Sequence, residues 1–329
     1  VLSSAVFIVR RLLQAVPLLF AVMTTMFLLL ELAPGDPIQA MVGEFPVTPE
    51  YRAQLNERFN FDAPVWERYI SFIGNVATLN FGHSFANSRD VTALILERIP
   101  NTLLLTVSGL VFAAMIGIFM GVLASTSKSP FGRTSISTLA LAGYSMPAFW
   151  MGQIFIMIFA LWLGWFPAQG MTDLRARNVG FDHLLDVGMH LILPAAVLAL
   201  REVGIITRIT RASMLDAMGQ DYIRTARAKG EPEHSVIWGH ALRNALLPVV
   251  TVIGYGFGFA LSGSVLVETV FGWPGMGRLL YDAIAMQDNA VILGIFFFIA
   301  CTVVLANALT DLLYTWLDPR IDLRKGASK

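Results

Sequence analysis

Residues 221–248 read DYIRTARAKGEPEHSVIWGHALRNALLP, a polar and basic island between two long apolar segments. A bilayer core rejects its arginines, lysine, acids and histidines, so the island lies outside the membrane while its neighbours enter it. That contrast decides the fold, because it turns the flanking segments into membrane spans joined by a surface element. Local signals divide the island into two short helices. Tyr222–Lys229 suits a helix, Gly230 is a natural stop just past its end, and Pro232 suits the first turn of the next. A helix, a glycine break and a second helix leading into a span form a docking handle. The bland alternative is a basic loop resting on anionic headgroups.

Composition sets the class. The 329 residues are 56% hydrophobic and only 14% charged, whereas ordinary soluble domains are roughly 45–50% apolar and about 25% charged. The bilayer is therefore part of this protein's solvent. Formal net charge is +0, which gives no ground for a nucleic-acid partner. A single cysteine, Cys301, excludes an internal disulfide framework, and His83, His183, His190, His234 and His240 show no metal-ligand spacing. No phosphate-binding G-x-x-x-x-G-K-[ST] loop occurs, so no cofactor is expected on this chain. Gly82-His83-Ser84 invites comparison with a serine hydrolase, but no glycine follows Ser84 in the required frame.

A span needs about 20 mainly apolar residues. Six segments qualify: Leu12–Ala33, Thr102–Ala124, Ser135–Leu163, His190–Ile209, Leu246–Val267 and Ala290–Trp316. The first follows Arg10 and Arg11 and reads as a retained signal anchor. With the N-terminus inside, fourteen of the 23 lysines and arginines fall on inner segments and eight on outer ones, Arg201 lying within a span. By the positive-inside rule both ends and the island are cytoplasmic. The organisation expected is a stub and first helix at 1–33, an outer lobe at 34–100, a five-helix core at 101–317 with the coupling helices at 219–245, and a tail at 318–329. In the lobe, Pro34, Gly35 and Pro37 stop the first span, and helical patterning follows at Glu50–Arg58, Val65–Ala77 and Val91–Arg98 around a turn at Asn80–Ser88. The last outer loop contains FGWPGMG (271–277), too rich in glycine and proline for regular structure.

Three groups of residues are candidates for function. On the island, Asp221, Tyr222, Arg224, Thr225, Ala226, Arg227, Lys229 and Gly230 form the docking helix and its stop, with Ile223 among its apolar residues. In the fifth span, Gly254 and Gly258 make a G-x-x-x-G near Ser262, which allows close helix packing or lines a passage. Arg201 and Glu202 lie near the middle of the fourth span, where charges face a bundle interior or a water-filled cavity; adjacent residues point about 100° apart and cannot share a partner. Glu31, Glu268 and Asp311 sit near span ends and read as interfacial.

The stretches RITRASMLD (208–216), GQDYIRTARAKG (219–230) and HALRNALLP (240–248) resemble the cytoplasmic coupling region of dipeptide/oligopeptide ABC-importer permeases. LAPGDP (32–37) is similar to the end of that family's first span, residues 59–85 with Tyr69, Gly74 and Asn80-Phe81-Gly82 to its outer lobe, and ETVFGWPGMG (268–277) to its last outer loop. Two departures stand out. Arg224-Thr225-Ala226 replaces the glutamate and two alanines of the broader permease motif, and the proline expected near Arg243 is delayed to Pro248.

The resemblance implies an all-α polytopic membrane protein of six transmembrane helices with the type I ABC-importer (MetI-like) permease fold. It implies a bacterial inner-membrane location, a second homologous permease, two ATP-binding cassette subunits carrying ATP and Mg, an extracytoplasmic substrate-binding protein, and membrane lipid. Glu268, Phe271, Pro274, Gly275 and Gly277 would form an outer gate loop, and the two permeases would move peptides by alternating access. A stand-alone secondary transporter or channel is the rival. It predicts inverted repeats, yet the long outer loop and the island have no counterparts. A membrane-embedded hydrolase would need a convergent nucleophile and base inside the spans, and a scaffold explains neither the intramembrane charges nor the island.

Overall fold

The computed structural model describes residues 2–32, 48–59, 62–173, 175–176 and 179–317. Helix α1 is Leu2–Leu32. Helices α2 (Pro49–Phe59) and α3 (Val65–Ala77) match the helical patterning of the outer lobe. A two-stranded antiparallel hairpin follows, β1 (His83–Ser84) with β2 (Arg89–Asp90), where the sequence predicts only a turn. Helix α4 (Val91–Thr126) takes in Val91–Arg98, which is therefore not a separate piece. Asp90 starts α4 by accepting the Ala93 amide at 2.8 Å. The expected stop at Pro34–Pro37 and the tail at 318–329 lie outside the described residues.

The third span is not one helix. Helix α5 (Pro130–Ser145) ends at Met146, which is extended at φ −92° and ψ 138°, and α6 (Ala148–Trp162) leaves at 103° to it. Pro147 is the cause: it lacks an N–H and pushes the preceding residue out of the helical region. Ser129 caps α5, and α6 passes into wide π-helical turns over Ile156–Trp162. Helix α7 (Phe181–Met218) has 38 residues, about 57 Å at 1.5 Å per residue. It far exceeds the roughly 30 Å of a hydrocarbon core, so the expected span His190–Ile209 is its middle.

Helix α8 is Asp221–Ala228, and Gly230 stops it at φ +81°. The second short helix of the island does not stand alone. Wide turns at Ser235–Ala241 run directly into Leu242–Val270, and together they form α9. Pro232 precedes its first turn and accepts the Val236 amide at 3.2 Å. A helix that patterning missed, α10 (Met276–Ala285), follows the last outer loop, so Met276 and Gly277 are regular structure. Helix α11 is Asn289–Leu317. Among the described residues, five helices are long and apolar enough to cross a membrane, six if the bent pair α5–α6 counts as one span.

The chain forms two compact units. One comprises Val1–Asn101 and Pro274–Val304. In it α3 lies on α1 through Thr24 Oγ1 and Tyr69 OH at 2.7 Å, the Phe27–Tyr69 and Phe27–Phe72 ring contacts, and the Arg68–Glu31 ion pair. Its hairpin is latched by Ser84 Oγ, which donates to Asp288 Oδ2 at 2.6 Å. Asp288 is fully buried and its other oxygen caps α11 at the Val291 amide, so Ser84 is structural.

The other unit comprises Thr102–Trp273 and Leu305–Lys329. Here α7 is the central helix. Its buried residues Leu198, Val203, Ile206 and Met214 meet α4, α5 and α9. A Cβ added to Gly117 or Gly121 of α4 would come within 2.7 Å of Ile206 and 2.5 Å of Thr210, so their bareness sets the α4–α7 distance.

Candidate coupling helix and pathway residues

The island presents one face and buries the other. Ile223 is fully buried and Ala226 nearly so, packed with Val122, Met214, Ala217, Val236, Ala241 and Ala245. Asp221, Tyr222, Arg224, Thr225, Arg227, Lys229 and Gly230 are exposed. Of the expected docking residues, Ala226 is thus an anchor to the bundle and not part of the free face. The spacing is what an amphipathic helix needs: residues 223 and 226 are neighbours on one side, while 221, 224 and 225 lie across from them.

Side chains beyond the expected set tie this helix to the start of α9. Arg227 grips Glu233 with two bonds, Nη2 to Oε1 at 2.6 Å and Nε to Oε2 at 3.2 Å. Past the glycine turn, Glu231 Oε2 accepts from Ser235 Oγ at 2.8 Å and lies 2.8 Å from His240 Nε2. The Ser235 bond first, and His240 second, hold the Glu231 carboxyl below the ordinary carboxylate value; Arg227 does the same for Glu233. Glu231, Glu233, Ser235 and His240 brace the turn from both sides. A signal for them was present, since opposite charges flank a glycine break, but spacing alone does not say which acid meets which base.

The two charges of the fourth span part company, as their angular separation requires. Arg201 is exposed and Glu202 is buried. A Cβ on Gly256 would stand 3.0 Å from Glu202 Oε2, so the carboxylate occupies room that this glycine of α9 leaves open. Gly254 packs elsewhere: a Cβ there would stand 2.2 Å from Thr310 Cγ2 of α11. The G-x-x-x-G residue Gly254 is therefore a helix-packing position. Gly258 and Ser262 lie on the same helix, with surroundings outside the described residues.

Glu268 is not interfacial. It is fully buried and accepts from Thr102 Oγ1 at 2.8 Å. Phe271 and Trp273 are buried with Leu105, Leu193, Val197 and Leu198, and the Phe271 carbonyl accepts the Gly170 amide at 2.8 Å. The Trp273 amide closes back on the Glu268 carbonyl at 2.8 Å. This part of the expected outer loop is packed into the bundle. In the other unit Gly275 and Gly277 are buried at the start of α10, and the Pro274 carbonyl accepts from Asn101 Nδ2 at 2.8 Å.

Residues 113–323 match the family described as "Binding-protein-dependent transport system inner membrane component", and residues 5–106 match the N-terminal part of such a component. The chain belongs to this family. It is 40% identical over 329 residues to "Di/tripeptide transport system permease protein DppB" of Pseudomonas aeruginosa, covering 96% of this chain and 98% of that one. It is also 40% identical to "Oligopeptide transport system permease protein AppB" of Bacillus subtilis, covering 97% and 99%. Among solved structures, an inward-facing MetNI methionine ABC transporter chain superposes with a TM-score of 0.55 at 19% identity, covering 68% of this chain and 96% of that one. The fold is that of a type I ABC-importer permease, and the protein is a multi-pass inner-membrane transport subunit.

Proposed function

We propose that this chain forms half of a translocation pathway for short peptides, with the exposed face of α8 as its contact to an ATPase. One observation carries the reading: a short basic helix, seated by Ile223 and Ala226 and braced by Arg227–Glu233, offers its polar side outward from a family member. Relatives named as di/tripeptide and oligopeptide permeases align along nearly the whole chain, which supports a peptide cargo. A second permease would complete the pathway. Two ATPase subunits would carry ATP and Mg, and an extracytoplasmic binding protein would deliver the peptide. Both termini would then be cytoplasmic, as the arginine and lysine distribution supports. Closure of the ATPases would push on α8, and its buried anchor would pass the motion to α4, α7 and α9.

The test is reconstitution with ATPase, second-permease and binding-protein subunits from the same source. Reversing Arg224 and Lys229 to glutamate should leave membrane insertion intact and abolish peptide uptake per ATP hydrolysed. Full uptake in that variant would refute the docking face; failure to recover any ATPase with the wild-type chain would refute the importer assembly.

A further inference from the structure

We infer that a cavity between α5 and α7 is a binding site for the phosphate head of an acidic phospholipid. The cavity measures about 320 Å³ and is lined by Ala140 and Tyr144 from α5 and by Gly204, Ile205, Thr207, Arg208 and Arg211 from α7. Gly204, Thr207, Arg208 and Arg211 recur at steps of three and four and form one stripe along α7, with the apolar Ile205 at its flank. At one end the two helices touch: a Cβ on Gly204 would stand 2.6 Å from the Ala140 carbonyl oxygen. The other end carries the two arginines.

The polar groups here lack partners. Thr207 is 2% exposed, yet its Oγ1 makes no hydrogen bond, and neither does the buried Nε of Arg211. Among the described residues, no acid pairs with Arg208 or Arg211. A buried donor left without an acceptor is costly, and the exposed Arg208 adds a second positive charge to the lining of the same cavity. The arrangement supplies a fork-shaped donor set and a hydroxyl to one oxyanion, the geometry that arginine offers to phosphate.

Position selects the source of that oxyanion. The α7 residues of the cavity straddle Ile209, the end of the apolar span expected from the sequence, which sets the arginines at the level of the headgroups. Leu139, one residue before Ala140 on α5 and outside the cavity lining, is 69% exposed and offers apolar surface within reach of an acyl chain. A phosphate with hydrocarbon attached fits both halves of this site. A peptide carboxylate shares the oxyanion chemistry but needs no apolar flank. The inference rests on the chain lying in a bilayer and is independent of its cargo.

The experiment is native mass spectrometry of the purified chain or complex released from nanodiscs of equimolar dioleoyl phosphatidylglycerol and phosphatidylcholine. Wild type should retain the acidic lipid preferentially. Arg208→Gln and Arg211→Gln should each lower the retained ratio about tenfold, the order expected for losing one charge-assisted hydrogen bond. Arg243→Gln removes an exposed charge elsewhere on the chain and should leave the ratio unchanged. Equal loss in Arg243→Gln would mean general surface basicity and would overturn the site, as would a wild-type chain without preference. Displacement of the lipid by a dipeptide, but not by its C-terminal amide, would assign the cavity to cargo and overturn the lipid reading.

Discussion

Truncating Ile223 to alanine tests whether α8 transmits force through its buried side. The helix has eight residues, too few to persist alone in water, so it exists because it is seated. Ile223 is its only fully buried side chain of any size; Ala226 contributes one methyl. Isoleucine-to-alanine at such a site costs about 2–5 kcal/mol in lost burial and residual cavity. At ~2 kcal/mol the ratio of seated to unseated helix falls roughly 30-fold. The Arg227–Glu233 pair is about half exposed on both sides and cannot make up that loss, because solvent-exposed ion pairs contribute little.

Two readouts separate this effect from loss of a contact surface. Amide exchange across 221–228 should accelerate in Ile223→Ala and remain slow in Tyr222→Ala, whose side chain is 39% exposed. In proteoliposomes with the partner subunits, Ile223→Ala should keep basal ATP hydrolysis while uptake per ATP falls at least tenfold. The comparison with Tyr222→Ala guards against misfolding, since both chains should insert and purify equally. Unchanged exchange together with unchanged uptake in Ile223→Ala would show that the helix is held by something other than its buried face, and the transmission route through the bundle would be wrong.

The same geometry sets further outcomes. Gly230 sits at φ +81° and donates its amide to the Arg227 carbonyl at 3.0 Å; Gly230→Pro can satisfy neither and should uncouple uptake, whereas Gly230→Ala should cost only about 1–2 kcal/mol of local stability, read by amide exchange. Because Glu231 and Glu233 titrate below the ordinary 4.5 in the folded chain, their bracing is intact above that value and is lost as pH falls through the lowered ones; exchange across 221–241 should rise in that acid window, and the double Gln variant should lack the response. Asp288→Ala removes the Ser84 bond and the cap of α11 and should cost about 2–4 kcal/mol, seen as faster exchange at Val91, with Asp288→Asn partly restoring it. Gly254→Leu drives a side chain into Thr310 and should cost about 1–3 kcal/mol in detergent unfolding, relieved by Thr310→Gly.

The features legible from residues alone are those dictated by solvent. The six apolar segments, the outward face of Arg224 and Lys229, and the glycine stop at Gly230 each come from one local rule. The break at Pro147 shows where local rules compete: hydropathy joins Ser135–Leu163 into a single span, yet the missing N–H and the extended Met146 divide it. The G-x-x-x-G at Gly254 stands out in the glycine-rich fifth span, while an equal spacing at Gly117 and Gly121 in the second does not. Only the facing side chains, Ile206 and Thr210, show that the second pair sets a helix contact. Composition names the residues able to permit close approach; it does not name the partner.

Glu202 shows the same limit from the polar side. Its depth in α7 marks it as costly, and depth alone allows either a passage or a packed interface. The structure adds that its carboxylate stands where Gly256 leaves room on α9, while Arg201 turns outward. A carboxylate accommodated by a missing side chain is a fitted group, placed where two helices meet and not at a misjudged span end. If α9 slides or rotates on α7, Gly256 leaves the carboxylate, and another α9 residue must yield or accept its charge.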